Sequence, residues 1–185
     1  MRASPSPSRV IVGDIGGTNA RLRLLSVNQT RTPRRGSVAG PDVVTDVEVV
    51  HAETVPRENH DTFEGALQAF LQSAPSALQA ASEPTRACFA VAGIVRGNRC
   101  DMTNCPWVLG GAEIASAFNF GPVRIINDFE AVGYGVAALL RGLGEEDGNL
   151  KTLLEGEPVV GGPVLVLGTR DSIVWPSLHS EESAP

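Results

Sequence analysis

Two short stretches of the sequence combine residue types that bind phosphate groups or move protons. The first, Val12–Arg21, contains the run Asp-Ile-Gly-Gly-Thr-Asn at positions 14–19. The second, Asn127–Ala131, places an asparagine and an aspartate directly after an apolar run. Backbone amides and hydroxyls suit an anion, whereas carboxylates suit a metal ion or a proton.

The first stretch predicts a phosphate site. Glycines let the backbone come close to a ligand and adopt positive φ, and successive N–H groups in such a turn form an anion-binding nest. Thr18 and Asn19 add side-chain donors, and Asp14 is a hard oxygen ligand suited to Mg²⁺, directly or through water. The alternative is a glycine-rich hairpin turn that Asp14 merely stabilises. The predicted phosphate site comprises Gly13, Asp14, Ile15, Gly16, Gly17, Thr18 and Asn19.

The second stretch has two interpretations that the local pattern does not separate. Asn127 is a good helix N-cap, and Glu130 three residues later completes a capping box. Alternatively, Asp128 at the carboxyl end of a parallel strand faces the crevice where α/β folds bind ligands. It would then take the proton from a hydroxyl that attacks a phosphoryl group, while Asn127 holds a neighbouring hydroxyl.

A third stretch, Met102–Trp107, offers contacts to hydroxyl groups. Thr103 and Asn104 supply directional hydrogen bonds, and Trp107 supplies an apolar wall. The alternative is a tight turn with a buried tryptophan.

The elements that position these stretches follow from the apolar spacing. Val10–Val12 predicts a buried strand and residues 20–24 a half-buried one, so the glycines lie between two strands. This excludes the two common phosphate loops, because both precede a helix. Residues 61–71 predict a helix that Asp61 and Glu64 begin as a capping box. Further strands are predicted at 43–54, 87–92 and 123–126, a hairpin arm at 96–101, and helices at 112–118 and after 127.

Composition excludes several classes of protein. The chain of 185 residues is 42% hydrophobic and has a net charge of −6 without a dominant basic patch, which argues against nucleic-acid binding. No apolar run reaches membrane-spanning length. Three cysteines, an odd number without a secretory signal, predict reduced thiols and a cytoplasmic protein. Cys100 and Cys105 are close in sequence, but no histidine clusters with them, so zinc is not expected.

The motifs resemble the bacterial-type glucokinase family of the actin, hexokinase and sugar-kinase superfamily. Gly-Asp-Ile-Gly-Gly-Thr-Asn-Ala-Arg-Leu at 13–22 resembles its first phosphate segment, and 103–107 its Thr-Asn-x-x-Trp segment. Asn-Asp-Phe-x-Ala at 127–131 resembles its sugar site, where the aspartate is the catalytic base. The resemblance implies an α/β, actin-like ATPase (ribonuclease H-like) N-terminal domain, a mixed sheet with flanking helices.

That resemblance also implies an activity and its ligands. It implies ATP-dependent phosphorylation of glucose to glucose 6-phosphate in glycolysis, with ATP and Mg²⁺ as cofactors. It assigns Asp128 as catalytic residue, Asn127, Asp128, Thr103 and Asn104 as substrate-binding residues, and Asp14 as the metal ligand. A homodimer is the assembly considered, and no nucleic acid or membrane partner is expected.

The resemblance covers Val10 to Thr169, about the first half of a family member. Residues 163–169 predict a buried strand, but Arg170–Ile173 replaces the second glycine-rich phosphate loop of the family. We therefore expect a disordered leader at 1–9, a glucokinase N-terminal domain at 10–162, and the start of a truncated second domain at 163–185. Impaired activity is expected. The alternatives are a non-catalytic sugar- or nucleotide-binding fragment and another sugar kinase of the same fold.

Overall fold

A five-stranded mixed sheet organises the first of two units in this protein. The computed structural model describes residues 8–32, 42–75, 85–102, 105–140, 164–167 and 172–175. The chain divides into Met1–Asn127 and Asp128–Pro185, and each unit is described by itself. No helix in the described ranges is long and apolar enough to cross a membrane.

The five strands of this sheet lie in the order β3-β2-β1-β4-β8. Strands β1, β2 and β3 form an antiparallel meander, whereas β4 is parallel to β1 and β8 is parallel to β4. Their bounds are β1 Ser8–Ile15, β2 Asn19–Thr32, β3 Asp42–Pro56, β4 Arg86–Val91 and β8 Val123–Asn127. The predicted mixed sheet is thus confirmed.

Alternation of apolar and charged residues determines which face of β2 is buried. Ala20, Leu22 and Leu24 are buried, while the intervening Arg21 and Arg23 are exposed. Since successive side chains of a strand point to opposite faces, this confirms the half-buried strand predicted for residues 20–24. The turn between β1 and β2 occupies residues 16–18, where the sequence placed it.

Helix α1 (Phe63–Ser73) packs its apolar side into the core formed by the sheet. Phe63, Leu67 and Phe70 are fully buried, and the Phe63 ring meets Phe89 of β4 edge-on at 4.9 Å between centroids. The predicted Asp61 cap is wrong. Thr62 is the N-cap, because its extended backbone lets Oγ1 accept a hydrogen bond from the Gly65 N–H.

A small three-stranded sheet and a second helix complete the first unit. Strands β5 (Val95–Arg96), β6 (Arg99–Asp101) and β7 (Val108–Gly110) pair antiparallel, which confirms the predicted hairpin arm. Helix α2 (Gly111–Phe118) follows directly and ends at Asn119, whose φ of 52° is left-handed. A single 3-10 turn, Arg57–Asn59, connects β3 to the segment before α1.

The second unit contains helix α3 (Asp128–Leu140) and a hairpin of β9 (Val164–Leu167) with β10 (Ser172–Trp175). The strand predicted at 163–169 is therefore present, but its predicted burial is wrong. Leu165 and Leu167 are 57% and 71% exposed. In the described part of this unit β9 pairs only with β10, and a two-stranded ribbon cannot cover both of its faces.

One predicted boundary differs from the described elements. Strand β1 begins at Ser8, because Ser8 pairs with Val27 of β2, so the last two residues of the predicted leader belong to the sheet. Residues 1–7 lie outside the described residues. The division between the two units falls at residue 127, whereas the domain boundary at 162 stays a prediction.

Candidate functional site

The carboxyl ends of three parallel strands lie in one row at an edge of the sheet. Ile15 of β1 pairs with Val91 of β4, and Val91 pairs with Asn127 of β8. Because neighbouring strands are about 4.8 Å apart, Ile15 and Asn127 are separated by roughly 10 Å. The turn that follows Ile15 and the side chain of Asn127 therefore share this edge, where α/β folds bind ligands.

The turn at residues 16–18 is anchored by backbone hydrogen bonds on both sides. The Gly16 N–H donates to the Asn19 carbonyl at 3.0 Å, and the Ala92 N–H after β4 donates to the Ile15 carbonyl at 3.1 Å. On the other side, the Arg57 N–H donates to the Thr18 carbonyl at 2.9 Å. These contacts attach the predicted phosphate turn to the segments that follow β3 and β4.

The turn does not use the left-handed backbone conformation that glycine permits at Gly16. Positive φ occurs at Gly97 in the β5–β6 hairpin, but not at Gly16. A Cβ on Gly16 would meet the Asn19 carbonyl at 3.5 Å, an ordinary contact. A Cβ would therefore be tolerated at Gly16, and the conformational freedom of glycine is not required there.

Asp14, the predicted metal ligand, is paired with Arg21 directly across the β1–β2 hairpin. The Arg21 guanidinium lies 2.8 Å from Asp14 Oδ2, and the two side chains are 57% and 64% exposed for Asp14 and Arg21, respectively. An exposed pair of this kind contributes at most about 1 kcal/mol, so a stronger partner displaces it readily.

The residues present fit a magnesium ion that is held mainly by the phosphate oxygens of a bound nucleotide and by one protein carboxylate. No cluster of three or more metal-binding side chains occurs among the residues that the structure describes. Mg²⁺ bound with a nucleotide commonly takes one or two carboxylates, with phosphate oxygens and water as the remaining ligands. Asp14 meets that requirement with a single hard oxygen donor beside the turn.

Asn127 ends β8 and is tied to the neighbouring strand. Its Nδ2 donates to the Gly93 carbonyl at 2.9 Å, and Gly93 lies in the turn after β4. This contact fixes the orientation of the side-chain amide at the edge of the sheet, and neither interpretation of the sequence included it. Asn127 is the last residue of the strand, whereas the sequence placed it at the start of the helix.

Asp128 is the first residue of α3 and begins the second unit. Its side chain is half-buried, and Oδ1 accepts a hydrogen bond from the Phe129 N–H at 2.9 Å. A backbone donor therefore orients the carboxylate at the helix start. The convergence of Asp128 with the turn at Gly16 stays a prediction.

The third predicted stretch does not form the expected apolar wall. Trp107 is 1% exposed, its Nε1 donates to the His60 carbonyl at 3.1 Å, and its ring contacts Phe63 edge-on. The prediction of a pocket wall is wrong, and the alternative of a buried tryptophan is confirmed. Thr103 and Asn104 lie outside the described residues.

Sequence reasoning missed Arg57 beside the predicted phosphate turn. Its backbone donates to the Thr18 carbonyl, while its side-chain Nε is buried and has no hydrogen-bond partner. The available signal was its position, directly after the strand that pairs with the start of β2. Because β3 pairs with β2, a basic residue directly after β3 lies next to the turn that precedes β2.

Comparison with known proteins points to one family. The model of the family described as Glucokinase matches residues 11–169. The glucokinase of Synechocystis sp. is 34% identical over 159 residues, which are 85% of this chain and 40% of that protein. The glucokinase of Trichormus variabilis is 30% identical over 159 residues, 86% of this chain and 40% of its own length.

A solved structure shows the same fold. The crystal structure of glucokinase from an Antarctic psychrotroph superimposes with a TM-score of 0.54 at 24% identity, covering 92% of this chain and 50% of that one. This likeness confirms the predicted actin-like α/β class. The chain spans about 40% of the length of the curated relatives described above.

Proposed function

Because the chain belongs to the glucokinase family, we propose that it carries the phosphate turn and sugar-binding edge of an ATP-dependent glucokinase. The reaction would be the transfer of the γ-phosphoryl group of ATP to the 6-hydroxyl of glucose. One observation carries this proposal: the turn after Ile15 and the amide of Asn127 lie on the same edge of one sheet. An edge with a phosphate turn and a hydroxyl-binding amide about 10 Å apart suits two ligands side by side.

The turn would hold the nucleotide phosphates. The hydroxyl of Thr18 and the amide of Asn19 would donate hydrogen bonds, and the absence of side chains at Gly16 and Gly17 would let phosphate oxygens approach the backbone. Asp14 would hold Mg²⁺ after its carboxylate leaves Arg21, directly or through water. The ion, when bound, neutralises charge on the phosphate oxygens. The released Arg21 guanidinium becomes available to the same phosphates.

Asn127 and Asp128 would serve the sugar. The hydrogen bond from Asn127 to Gly93 sets the plane of the amide, so its oxygen is fixed relative to a sugar hydroxyl. Asp128 is the next residue and its carboxylate is oriented by the Phe129 N–H. As general base it would accept the proton of the 6-hydroxyl at a carboxylate oxygen while that hydroxyl attacks phosphorus. Thr103 and Asn104 are proposed as further sugar contacts.

Titration calorimetry of the purified chain tests this assignment. Wild type should bind glucose and a non-hydrolysable ATP analogue with Mg²⁺. Asn127→Ala should lower the affinity for glucose about tenfold, since one fixed hydrogen bond is lost, and should leave the affinity for the nucleotide unchanged. Asp101→Asn is a matched control, because Asp101 is an exposed acid on β6 that pairs with Arg99. Equal glucose affinity in wild type and Asn127→Ala would exclude Asn127 from the sugar site.

A non-catalytic ligand-binding protein is the second candidate. The family match ends at residue 169, and Arg170–Ile173 follows where a second glycine-rich loop is expected from the resemblance. Under this candidate, glucose and nucleotide bind without turnover. A third candidate is another sugar kinase of the same fold, and titration with a panel of hexoses distinguishes it.

A further inference from the structure

We propose that Arg57 is an additional phosphate-binding group of the turn at residues 16–18, an inference that rests on the proposed nucleotide site. The ligand class is a phosphate group, whether carried by a nucleotide, by a sugar phosphate or free in solution. Arg57 lies outside the glycine-rich motif and 39 positions after Thr18 in the sequence (57 − 18).

The backbone of Arg57 is fixed to the turn itself. Its N–H donates to the Thr18 carbonyl at 2.9 Å, and the preceding Pro56 pairs with Asn19 in the β2–β3 ladder. An arginine side chain carries its guanidinium at the end of three methylene groups, so from this anchored backbone the guanidinium can approach a ligand at the turn.

The side chain carries an unsatisfied donor. Arg57 Nε is buried without a hydrogen-bond partner, although a guanidinium offers five N–H donors and almost always finds acceptors when buried. Leaving a donor of a charged group buried and unpaired is costly. A side-chain rotation that turns the guanidinium towards an anion at the neighbouring turn removes that cost.

The charge of Arg57 is also left unneutralised. Among the described residues no carboxylate forms an ion pair with it, and the neighbouring Glu58 is exposed. Asp14 at the same edge is already paired with Arg21. The turn therefore has one uncompensated positive charge beside it, and arginine binds phosphate through two parallel N–H donors.

Calorimetry with three variants of the full 185-residue chain tests the proposal. Arg57→Gln removes the charge, Arg57→Lys keeps the charge without the planar fork, and Arg86→Gln is the matched control. Arg86 is exposed and pairs with Val10 at the opposite end of the sheet. The probes are inorganic phosphate, a non-hydrolysable ATP analogue with Mg²⁺, glucose 6-phosphate, and neutral glucose.

We expect Arg57→Gln to lower the affinity for the phosphate-bearing probes about 10- to 100-fold, and Arg57→Lys to have an intermediate effect. Glucose affinity and the thermal midpoint of unfolding should stay at the wild-type values, which a merely structural role would lower. Arg86→Gln should bind like wild type. The probe whose affinity falls most in Arg57→Gln identifies which kind of molecule carries the phosphate group.

The outcomes separate the two proposals. If wild type binds the ATP analogue and Arg57→Gln binds it equally well, the role of Arg57 is excluded and the nucleotide site stands. A parallel loss of glucose binding would show that Arg57 acts on the fold, which also excludes the role. If wild type binds none of the phosphate-bearing probes, the nucleotide site and the role of Arg57 fail together.

Discussion

Gly13 is the glycine of the predicted phosphate stretch that core packing requires. A Cβ at this position would lie 2.8 Å from Phe89 Cδ1 and 2.9 Å from Leu22 Cδ2. Both side chains are fully buried, so they have little room to move away. Gly13 and Gly16 therefore differ, since the first permits a tight core, whereas a Cβ at the second would make only an ordinary contact.

Gly13→Ala should lower the free energy of unfolding by about 1–3 kcal/mol, because an added methyl group overpacks the core. Urea unfolding followed by circular dichroism measures the change. Gly135→Ala is the matched control, since Gly135 lies in α3 and a Cβ there would meet no atom within 4 Å. That substitution should stabilise its helix by about 0.5–1 kcal/mol. A Gly13→Ala protein as stable as wild type would contradict the packing argument.

At the scale of elements, the β5–β6 hairpin covers the free edge of the main sheet. Strand β8 is an edge strand, and an unpaired edge is open to pairing with other chains. Asn98 in the hairpin turn donates from Nδ2 to the Val123 carbonyl at 2.9 Å and accepts the Ile125 N–H at Oδ1 at 2.7 Å. Its side-chain amide thus replaces the peptide group of a neighbouring strand.

The backbone of the hairpin explains why asparagine suits this position. Gly97 and Asn98 have φ of 56° and 61°, as the central residues of a type I′ turn require. Asparagine is among the few residues with a side chain that adopt left-handed φ readily. The same residue therefore meets the demands of the turn and of the sheet edge.

Asn98→Gly should destabilise the first unit by about 1–3 kcal/mol, since glycine keeps the turn but loses both hydrogen bonds. Hydrogen exchange at the Ile125 N–H should accelerate, which locates the loss at the edge of β8. Asn119→Gly provides the comparison, because Asn119 has a φ of 52° at the end of α2 and its cap uses the backbone N–H. It should leave stability within about 0.5 kcal/mol of wild type. An unchanged exchange rate of the Ile125 N–H in Asn98→Gly would show that the Asn98 side chain does not protect this amide.

The elements were predictable from the sequence wherever local pattern decides them. The alternation of Ala20, Leu22 and Leu24 predicted a half-buried strand, and the motif spacing predicted the turn between β1 and β2. The contacts of Asn98 were not predictable, because its partners lie 25 and 27 positions away. The burial of Trp107 was one of two interpretations of its stretch, and the contacts with Phe63 and His60 that decide between them arise only in the fold.

The candidate site was predictable to a similar extent. The turn was predicted at the end of its strand, whereas Asn127 was predicted at the start of the helix and is the last residue of its strand. The pairing of Asp14 with Arg21 required the hairpin register, in which the two residues lie opposite each other. The position of Arg57 beside Thr18 required the pairing of β2 with β3.

At the scale of the whole molecule, the chain's share of its relatives' length bears on catalysis. It spans about 40% of the Synechocystis and Trichormus glucokinases, and the family match ends at residue 169. Phosphoryl transfer depends on positioning and on charge stabilisation around the transferred group. Removing a single group that stabilises transition-state charge commonly lowers kcat about 10²–10³-fold. The described residues of the first unit contain one proposed phosphate turn, so ligand binding without turnover is expected of this chain.

The 185-residue chain should therefore bind ligands while turning them over at least about 10³-fold more slowly than a full-length relative. A coupled assay for glucose 6-phosphate on the purified chain measures this, with the Synechocystis glucokinase as reference. Asp128→Ala sets the background: residual turnover that survives the substitution comes from a contaminating kinase, whereas turnover that disappears belongs to this chain. Loss of turnover with retained glucose binding in Asp128→Ala would support the general base. Turnover of the wild-type chain near that of the reference would contradict the prediction and show that the groups in this chain suffice for phosphoryl transfer.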